Sequence, residues 1–188
     1  LITEICLGQW EQTGGLGVGS VRTLAVSGTN IFAGTQGGSG VYLSTNSGIN
    51  WTVVNNGINN LSVFTFAISG TNILAGTYGG GVFISTNNGT SWVELGLTNQ
   101  NVISLIVSGT NIFAGTNGAG IFLSTNNGLS WAQVNNGLTN LPVNALTISG
   151  TYIFASTFGG GVFLSTNNGL SWAQVNNGLT NLFVNALT

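Results

Sequence analysis

Ser-Thr-Asn-Asn-Gly-Leu-Ser-Trp stands at Ser124–Trp131 and returns unchanged at Ser165–Trp172. Two close variants of it stand at Ser85–Trp92 and Ser44–Trp51. The five tryptophans of the chain, at positions 10, 51, 92, 131 and 172, are spaced by 41, 41, 39 and 41 residues. A fixed period of this length indicates a propeller or a solenoid built from one repeated unit.

Each unit contains four short segments with the composition of β-strands. In the last complete unit we predict strands over Val143–Ile148, Tyr152–Thr157, Gly161–Thr166 and Trp172–Val175. The segments between them are rich in Gly and Asn, the residues that tolerate the positive φ of tight hairpin turns. Short strands with turn signals about every ten residues, and no helical periodicity, favour an all-β fold.

The strand faces distinguish a propeller from other repeat folds. The first strand of each unit has a face of large apolar residues and a face of smaller ones, and the second strand, as at Ile31–Thr35, is apolar on both faces. A sheet that is apolar on both faces packs between two others. We therefore predict an all-β propeller of ~41-residue, four-stranded blades, with four complete units and pieces of a fifth. A parallel β-helix is the alternative, although its coil is usually shorter.

We predict a single domain over residues 1–188. Its parts are a partial blade at 1–20, full blades at 21–62, 63–101, 102–142 and 143–183, and a strand of the partial blade at 184–188. Trp10–Thr13 aligns with a fourth strand, and Phe183–Thr188 repeats a first strand. Three arrangements remain open: closure of a five-bladed ring within one chain, pairing of these pieces between chains, or a fragment of a longer propeller.

The repeated box resembles the Asp-box, or BNR repeat, Ser-x-Asp-x-Gly-x-x-Trp. That repeat occurs in β-propellers such as sialidases, sortilin-type receptors and photosystem assembly factors, and the resemblance here extends over almost the whole chain. Asn46, Asn87, Asn126 and Asn167 stand where the family usually has Asp. The Asn side-chain oxygen still accepts hydrogen bonds from the turn, but loss of the carboxylate charge disfavours calcium binding.

The resemblance implies that the box is a structural hairpin between the third and fourth strands. Ser and Asn would tie the turn, Gly would take the positive φ, and Trp would pack over the hairpin. The residues concerned are Ser44, Asn46, Gly48 and Trp51; Ser85, Asn87, Gly89 and Trp92; Ser124, Asn126, Gly128 and Trp131; and Ser165, Asn167, Gly169 and Trp172. Carbohydrate stacking on the tryptophans is the alternative to this structural role.

The charged residues are very few. They are Glu4, Glu11, Arg22 and Glu94, which give a net charge of −2, and the chain contains no His, Lys or Asp. Resemblance to sialidases would require an arginine triad, a nucleophilic Tyr with a Glu, and an acidic Asp, and this chain cannot assemble that set. Without His it also has no ordinary general base near neutral pH. We therefore predict no enzyme activity, no cofactor and no metal site.

The same composition restricts the partners. The chain has no basic patch for nucleic acid and no apolar run of the ~20 residues that a membrane helix needs. Cys6 is the only cysteine, so an intrachain disulfide is excluded. We predict an extracellular or cell-surface protein that binds neither nucleic acid nor the membrane interior.

One turn position varies between the units and is a candidate binding position. The turn between the second and third strands carries Gln36, Tyr78, Asn117 and Phe158 at this position. An exposed aromatic ring beside Asn-rich loops could stack on a sugar or on another protein. The alternative is that these residues only shield the turn or plug the central opening.

Two classes of function fit these observations. The first is a structural, self-assembling propeller that forms homo-oligomers or polymers through edge strands at its termini and a charge-poor surface rich in Asn and Thr. The second is a multivalent, lectin-like propeller that binds a glycan or protein on its variable loop face. A scaffold similar to photosystem assembly factors is a third alternative, but that group relies on charged surface residues that are scarce here.

Overall fold

The computed structural model describes residues 19–188, which form sixteen strands in four antiparallel sheets and contain no helix. Blade 1 contains β1 (Ser20–Ser27), β2 (Asn30–Gln36), β3 (Val41–Ser44) and β4 (Thr52–Val53). Blade 2 contains β5 (Val63–Ser69), β6 (Asn72–Thr77), β7 (Gly81–Ser85) and β8 (Val93–Gly96). Blade 3 contains β9 (Val102–Ser108), β10 (Asn111–Thr116), β11 (Gly120–Ser124) and β12 (Ala132–Gln133). Blade 4 contains β13 (Val143–Ser149), β14 (Tyr152–Thr157), β15 (Gly161–Ser165) and β16 (Ala173–Gln174).

The predicted all-β propeller is confirmed. In every blade the four strands pair in chain order as an antiparallel meander. The first strands follow one another around the centre, with β1 against β5, β5 against β9 and β9 against β13. The two-residue fourth strands β4, β12 and β16 therefore lie at the periphery. The predicted partial blade at 1–20, with Glu4, Cys6 and Glu11, falls almost entirely outside the described residues.

The hydrophobic core lies between neighbouring blades. Each of the three core clusters joins two consecutive blades, as where Leu74 and Val82 of blade 2 meet Val102 and Ile112 of blade 3. Small residues on the second strand allow this approach. A Cβ added to Gly76 would lie 2.7 Å from the Val102 Cγ1 atom, so the first strand of the next blade packs directly on that glycine.

A tryptophan hydrogen bond joins the outer halves of neighbouring blades. Three indole groups donate to carbonyl oxygens of the preceding blade at 2.8 Å: Trp92 Nε1 to Val54 O, Trp131 Nε1 to Leu95 O, and Trp172 Nε1 to Val134 O. We call this contact the tryptophan clasp. It links residues about one repeat apart and therefore fixes each blade against the one before it.

Residues 184–188 lie beside blade 4 without forming the strand that we predicted. Phe183 makes an isolated bridge with Phe158, and the Asn144 Nδ2 atom donates to Val184 O at 3.0 Å. In blades 1–4 the first strand pairs with the second strand of its blade. Residues 184–188 have no second strand to pair with among the described residues. Within 19–188 there is no helix long and apolar enough to span a membrane.

Candidate functional site

In blades 2, 3 and 4 the turn after the second strand is held against the residue that precedes the first strand of the same blade. The backbone N–H groups of Tyr78, Asn117 and Phe158 donate to the carbonyl oxygens of Ser62, Asn101 and Pro142, at 2.9, 2.9 and 3.1 Å. The Asn60 and Asn140 side chains also donate to Tyr78 O and Phe158 O at 2.9 Å. Three of the four variable positions therefore have a fixed backbone on the same face of the propeller.

These three residues line one cavity at the centre of that face. Its volume is about 330 Å³, and all four blades contribute to its wall, with Arg22 from blade 1 and Asn144 from blade 4 beside the turn residues. This volume is at the lower end of the range of about 300–1,000 Å³ typical of ligand pockets. Gln36, the fourth variable residue, ends β2 and does not line the cavity.

Two exposed aromatic rings at the cavity are each supported by a second ring. Tyr78 is 42% exposed and lies with its centroid 5.1 Å from that of Phe64. The Arg22 guanidinium lies 5.2 Å from the same Phe64 centroid, a cation–π arrangement. Phe158 is 57% exposed and makes an edge contact of 4.9 Å with Phe183. Both rings are thus positioned by packing while one side remains accessible.

The polar groups of the cavity are amides and one guanidinium. Asn117 and Asn144 supply amide groups, and Arg22 is the only cation in the sequence. The one carboxylate among the described residues, Glu94, lies on β8, where it accepts a hydrogen bond from Thr98. Within 19–188 no group of three His, Cys, Asp or Glu residues is placed to hold a metal ion. The cavity can therefore combine aromatic stacking with hydrogen bonds to hydroxyl, carbonyl or anionic groups.

The boxes lie at the opposite ends of the third strands from this cavity. In blade 3 the Ser124 hydroxyl donates to Asn126 Oδ1 at 2.9 Å and accepts from Gly128 N at 2.8 Å, while Ser130 N donates to Asn126 Oδ1 at 2.9 Å. Asn127 and Gly128 both have positive φ, at 57° and 90°. The equivalent bonds form in the other three boxes at 2.8–3.0 Å. These contacts close a hairpin within each blade.

We expect Ser124→Ala to lower the free energy of unfolding by about 1–3 kcal/mol, because the buried Gly128 N–H loses its acceptor. Urea denaturation measures this loss. Ser130→Ala is the matched control, since the exposed Ser130 hydroxyl accepts only from Asn126 Nδ2 and its removal should cost less than about 0.5 kcal/mol. Equal losses in the two variants would contradict a structural role for the box serine.

Three features of this region are not predicted by the sequence patterns: Phe64, Asn144 and the tryptophan clasp. Phe64 and Asn144 lie near the starts of first strands, where the only pattern in the sequence is the alternation of large and small faces. The clasp had a signal in the tryptophan spacing, because donor and acceptor are separated by about one repeat. The Trp residues therefore contact the preceding blade in addition to their own hairpin.

No protein-family model matches this sequence, and the search of curated proteins found no match. Solved structures are similar in fold. An ancestral GH74 enzyme is 26% identical with a TM-score of 0.71, covering 84% of this chain and 24% of that one. YCF48 bound to D1 peptide is 17% identical with a TM-score of 0.65, covering 90% of this chain and 58% of that one. The extracellular domain of BT4673 from B. thetaiotaomicron is 19% identical with a TM-score of 0.73, covering 93% and 25%.

These comparisons contradict the prediction that the chain is not an enzyme. Besides the ancestral GH74 enzyme, two further GH74 structures are 24% and 19% identical to this chain. That prediction depends on the ionisable residues of this sequence alone, whereas the chain spans only about a quarter of the GH74 enzyme to which it is 26% identical. Counting the ionisable residues of a chain this short relative to the enzyme does not exclude catalysis. What the structural neighbours establish for this chain is the β-propeller fold.

Proposed function

We propose that this chain is a binding propeller, exposed outside the cell, that binds a saccharide in the central cavity. The observation that carries the proposal is the position of Tyr78 and Phe158. These two exposed rings come from different blades and meet at one cavity together with the amides of Asn117 and Asn144. The likeness to GH74 structures, one of them a xyloglucanase from Xanthomonas campestris, supports a carbohydrate ligand. The BT4673 extracellular domain supports the location.

The chemistry of the cavity suits a sugar ring. An aromatic face packs against the apolar C–H face of a sugar and removes both from water. Amide groups such as those of Asn117 and Asn144 both donate and accept, so they can pair with hydroxyl groups of either polarity. Fixed backbone at Tyr78 and Phe158 lowers the ordering cost of binding. The proposed ligand is a short neutral saccharide, with Arg22 available to an acidic substituent.

We expect Tyr78→Ala and Phe158→Ala each to weaken saccharide binding about tenfold or more, because an exposed ring at the centre of a site typically contributes above 1 kcal/mol. A glycan array with neutral and uronic oligosaccharides, followed by calorimetric titration of the strongest hit, measures this. Tyr152→Ala is the control, since Tyr152 is an equally exposed ring at the other end of its blade. No signal above background on the array would remove the proposal.

A protein ligand is the alternative occupant of the same cavity. YCF48 is a propeller whose structure contains a peptide, although its identity to this chain is only 17%. A peptide library screened beside the glycan array distinguishes the two ligand classes. Binding of peptides that is lost in Phe158→Ala, with no glycan signal, would keep the cavity as the site and contradict the saccharide.

Self-association is a second candidate function, supported by an apolar face of blade 1 that no other residue of 19–188 buries. Val21, Leu24 and Val26 are exposed, with Leu24 at 62%, whereas Val63 and Val102, the counterparts of Val21 in the next two blades, are fully buried. A chain with four charged residues in 188 also has little electrostatic protection against association. Such contacts would produce homo-oligomers or filaments. Sedimentation across a concentration series tests this, and a monomer at every concentration would contradict it.

A further inference from the structure

A second, smaller cavity lies between blades 2 and 3, on the face that carries the boxes. Its volume is about 50 Å³. Four residues of blade 2 and three of blade 3 line it: Ser69, Asn72, Leu74 and Ile84, and Val107, Ile112 and Asn127. Ser69 and Asn72 flank the turn between β5 and β6, and Asn127 belongs to the box of blade 3. This cavity shares no lining residue with the central cavity on the opposite face.

At the boundaries on either side, a phenylalanine ring fills the corresponding space. Leu74 is the third residue of β6, and the third residues of β2 and β10 are Phe32 and Phe113. Both rings are fully buried and reach the box of the following blade. A Cβ on Gly89 would lie 2.8 Å from Phe32 Cε1. A Cβ on Gly169 would lie at the same distance from Phe113 Cε1. The boundary between blades 2 and 3 therefore has a shorter side chain where the other two have a ring.

Two further differences set the size of this cavity. Val107 stands where blades 2 and 4 have Ile68 and Ile148, each paired with the second-strand isoleucine of its own blade. Val107 thus removes a methyl group from the wall. Leu95 acts in the other direction, because its Cδ1 atom is the nearest to a Cβ on Gly128, at 2.6 Å. Leu95 takes up part of the space that a ring would fill, and the remainder is the cavity.

The cavity has an apolar floor and a polar rim. Leu74 and Ile112 are buried and form the floor, whereas Asn127 is exposed, and Ser69 and Asn72 are half-buried. The rim therefore offers one hydroxyl and two amide groups, which both donate and accept hydrogen bonds. A volume of about 50 Å³ exceeds the ~10–15 Å³ that one water molecule needs and is about a third of the ~150 Å³ cavity that admits benzene.

We propose that this cavity binds a small neutral amphiphile, a molecule with an alkyl group of about two or three carbons and one hydroxyl or carbonyl group. The alkyl group packs on Leu74 and Ile112 and is removed from water. The polar group lies at the rim, where the amides of Asn72 and Asn127 can pair with it. A water molecule is a poorer occupant, because the floor gives it no hydrogen-bond partner. This site does not depend on a saccharide in the central cavity.

The experiment is a titration of the 188-residue chain with 1-propanol, followed by NMR of labelled methyl groups. The methyl signals of Leu74 and Ile112 are expected to shift and to saturate, with a dissociation constant in the millimolar range for so small a ligand. Leu74→Phe restores the ring of the neighbouring boundaries and should weaken binding at least about tenfold by filling the space. Val107→Ile should weaken it about threefold for the same reason.

The rim is tested by Asn127→Ala, which should weaken 1-propanol binding about threefold to tenfold through loss of an amide partner. Asn168→Ala is its matched control, because Asn168 has the same box position and the same φ of 57° in blade 4. The control should leave the dissociation constant unchanged. Equal weakening in the two variants would show that the amide of Asn127 does not contact the alcohol, and would overturn the proposed orientation.

Three other results would overturn the site itself. Methyl shifts that rise linearly with 1-propanol and never saturate would mean a solvent effect only. An unchanged dissociation constant in Leu74→Phe would place the alcohol elsewhere, and Val107→Ile decides the same question if Leu74→Phe does not fold. Tyr78→Ala should leave 1-propanol binding unchanged, so a loss of binding in that variant would move the alcohol to the central cavity.

Discussion

Gly137→Ala is expected to lower the free energy of unfolding by about 2–5 kcal/mol, whereas Gly178→Ala should lower it by only about 1 kcal/mol. Both glycines have positive φ, at 83° and 86°, so the alanine strain is common to the two variants. Only at Gly137 would the new Cβ also overlap a backbone oxygen of the next blade, that of Trp172 at 2.1 Å. Urea denaturation midpoints measure the difference.

The pair is closely matched because both glycines occur in the same sequence, Val-Asn-Asn-Gly-Leu-Thr-Asn-Leu. Effects of alanine on the unfolded chain therefore cancel between the two variants. What remains is the contact between blades 3 and 4, which Gly137 has and Gly178 lacks. Equal losses of stability would mean that the close approach of Trp172 to Gly137 contributes nothing, contrary to the structure.

Phe113→Ala is expected to cost about 3–5 kcal/mol, the usual loss for a fully buried aromatic side chain. The Phe113 ring packs on the box of the next blade, where a Cβ on Gly169 would lie 2.8 Å from its Cε1 atom. Gly169 has no side chain that could fill the space left by the Phe113 ring, so the substitution leaves a cavity. Thermal and urea denaturation both report this loss.

Phe154→Ala is the matched control for Phe113→Ala. Both rings stand in an Ile-Phe-Ala segment of a second strand, but Phe154 is only partly buried. We expect Phe154→Ala to cost about 1–2 kcal/mol, in proportion to the smaller apolar area that it removes from water. A loss at Phe154 equal to that at Phe113 would show that the packing between blades is not what buries Phe113.

The repeat predicted the fold because the same apolar segments and the same Gly and Asn turns set the strand limits in every unit. Tyr152–Thr157 has the predicted bounds, since Gly and Asn turns limit it on both sides. Trp172–Val175 was predicted as a strand and is shortened to Ala173–Gln174, because Trp172 instead contacts the preceding blade. The sequence period predicts the position of a residue within its blade. It does not predict contacts between blades, because these depend on how the blades are arranged around the axis.

The candidate site was likewise predicted only in part from the sequence. The variable turn position was found from the sequence, and the structure brings Tyr78, Asn117 and Phe158 to one cavity, whose role in binding stays a prediction. Gln36 shares the turn position but does not line that cavity, to which blade 1 contributes Arg22 instead. Phe64 could not be distinguished from other apolar strand residues, because its support of the Tyr78 ring depends on how the side chains pack beside the β5–β6 pair of blade 2.

A crystal structure of the chain with its strongest-binding oligosaccharide tests the proposed function most directly. We expect a sugar ring stacked on Tyr78 or Phe158, with hydroxyl groups hydrogen-bonded to Asn117 or Asn144 in the central cavity. An oligosaccharide bound instead on the opposite face, against the box hairpins and their tryptophans, would contradict it.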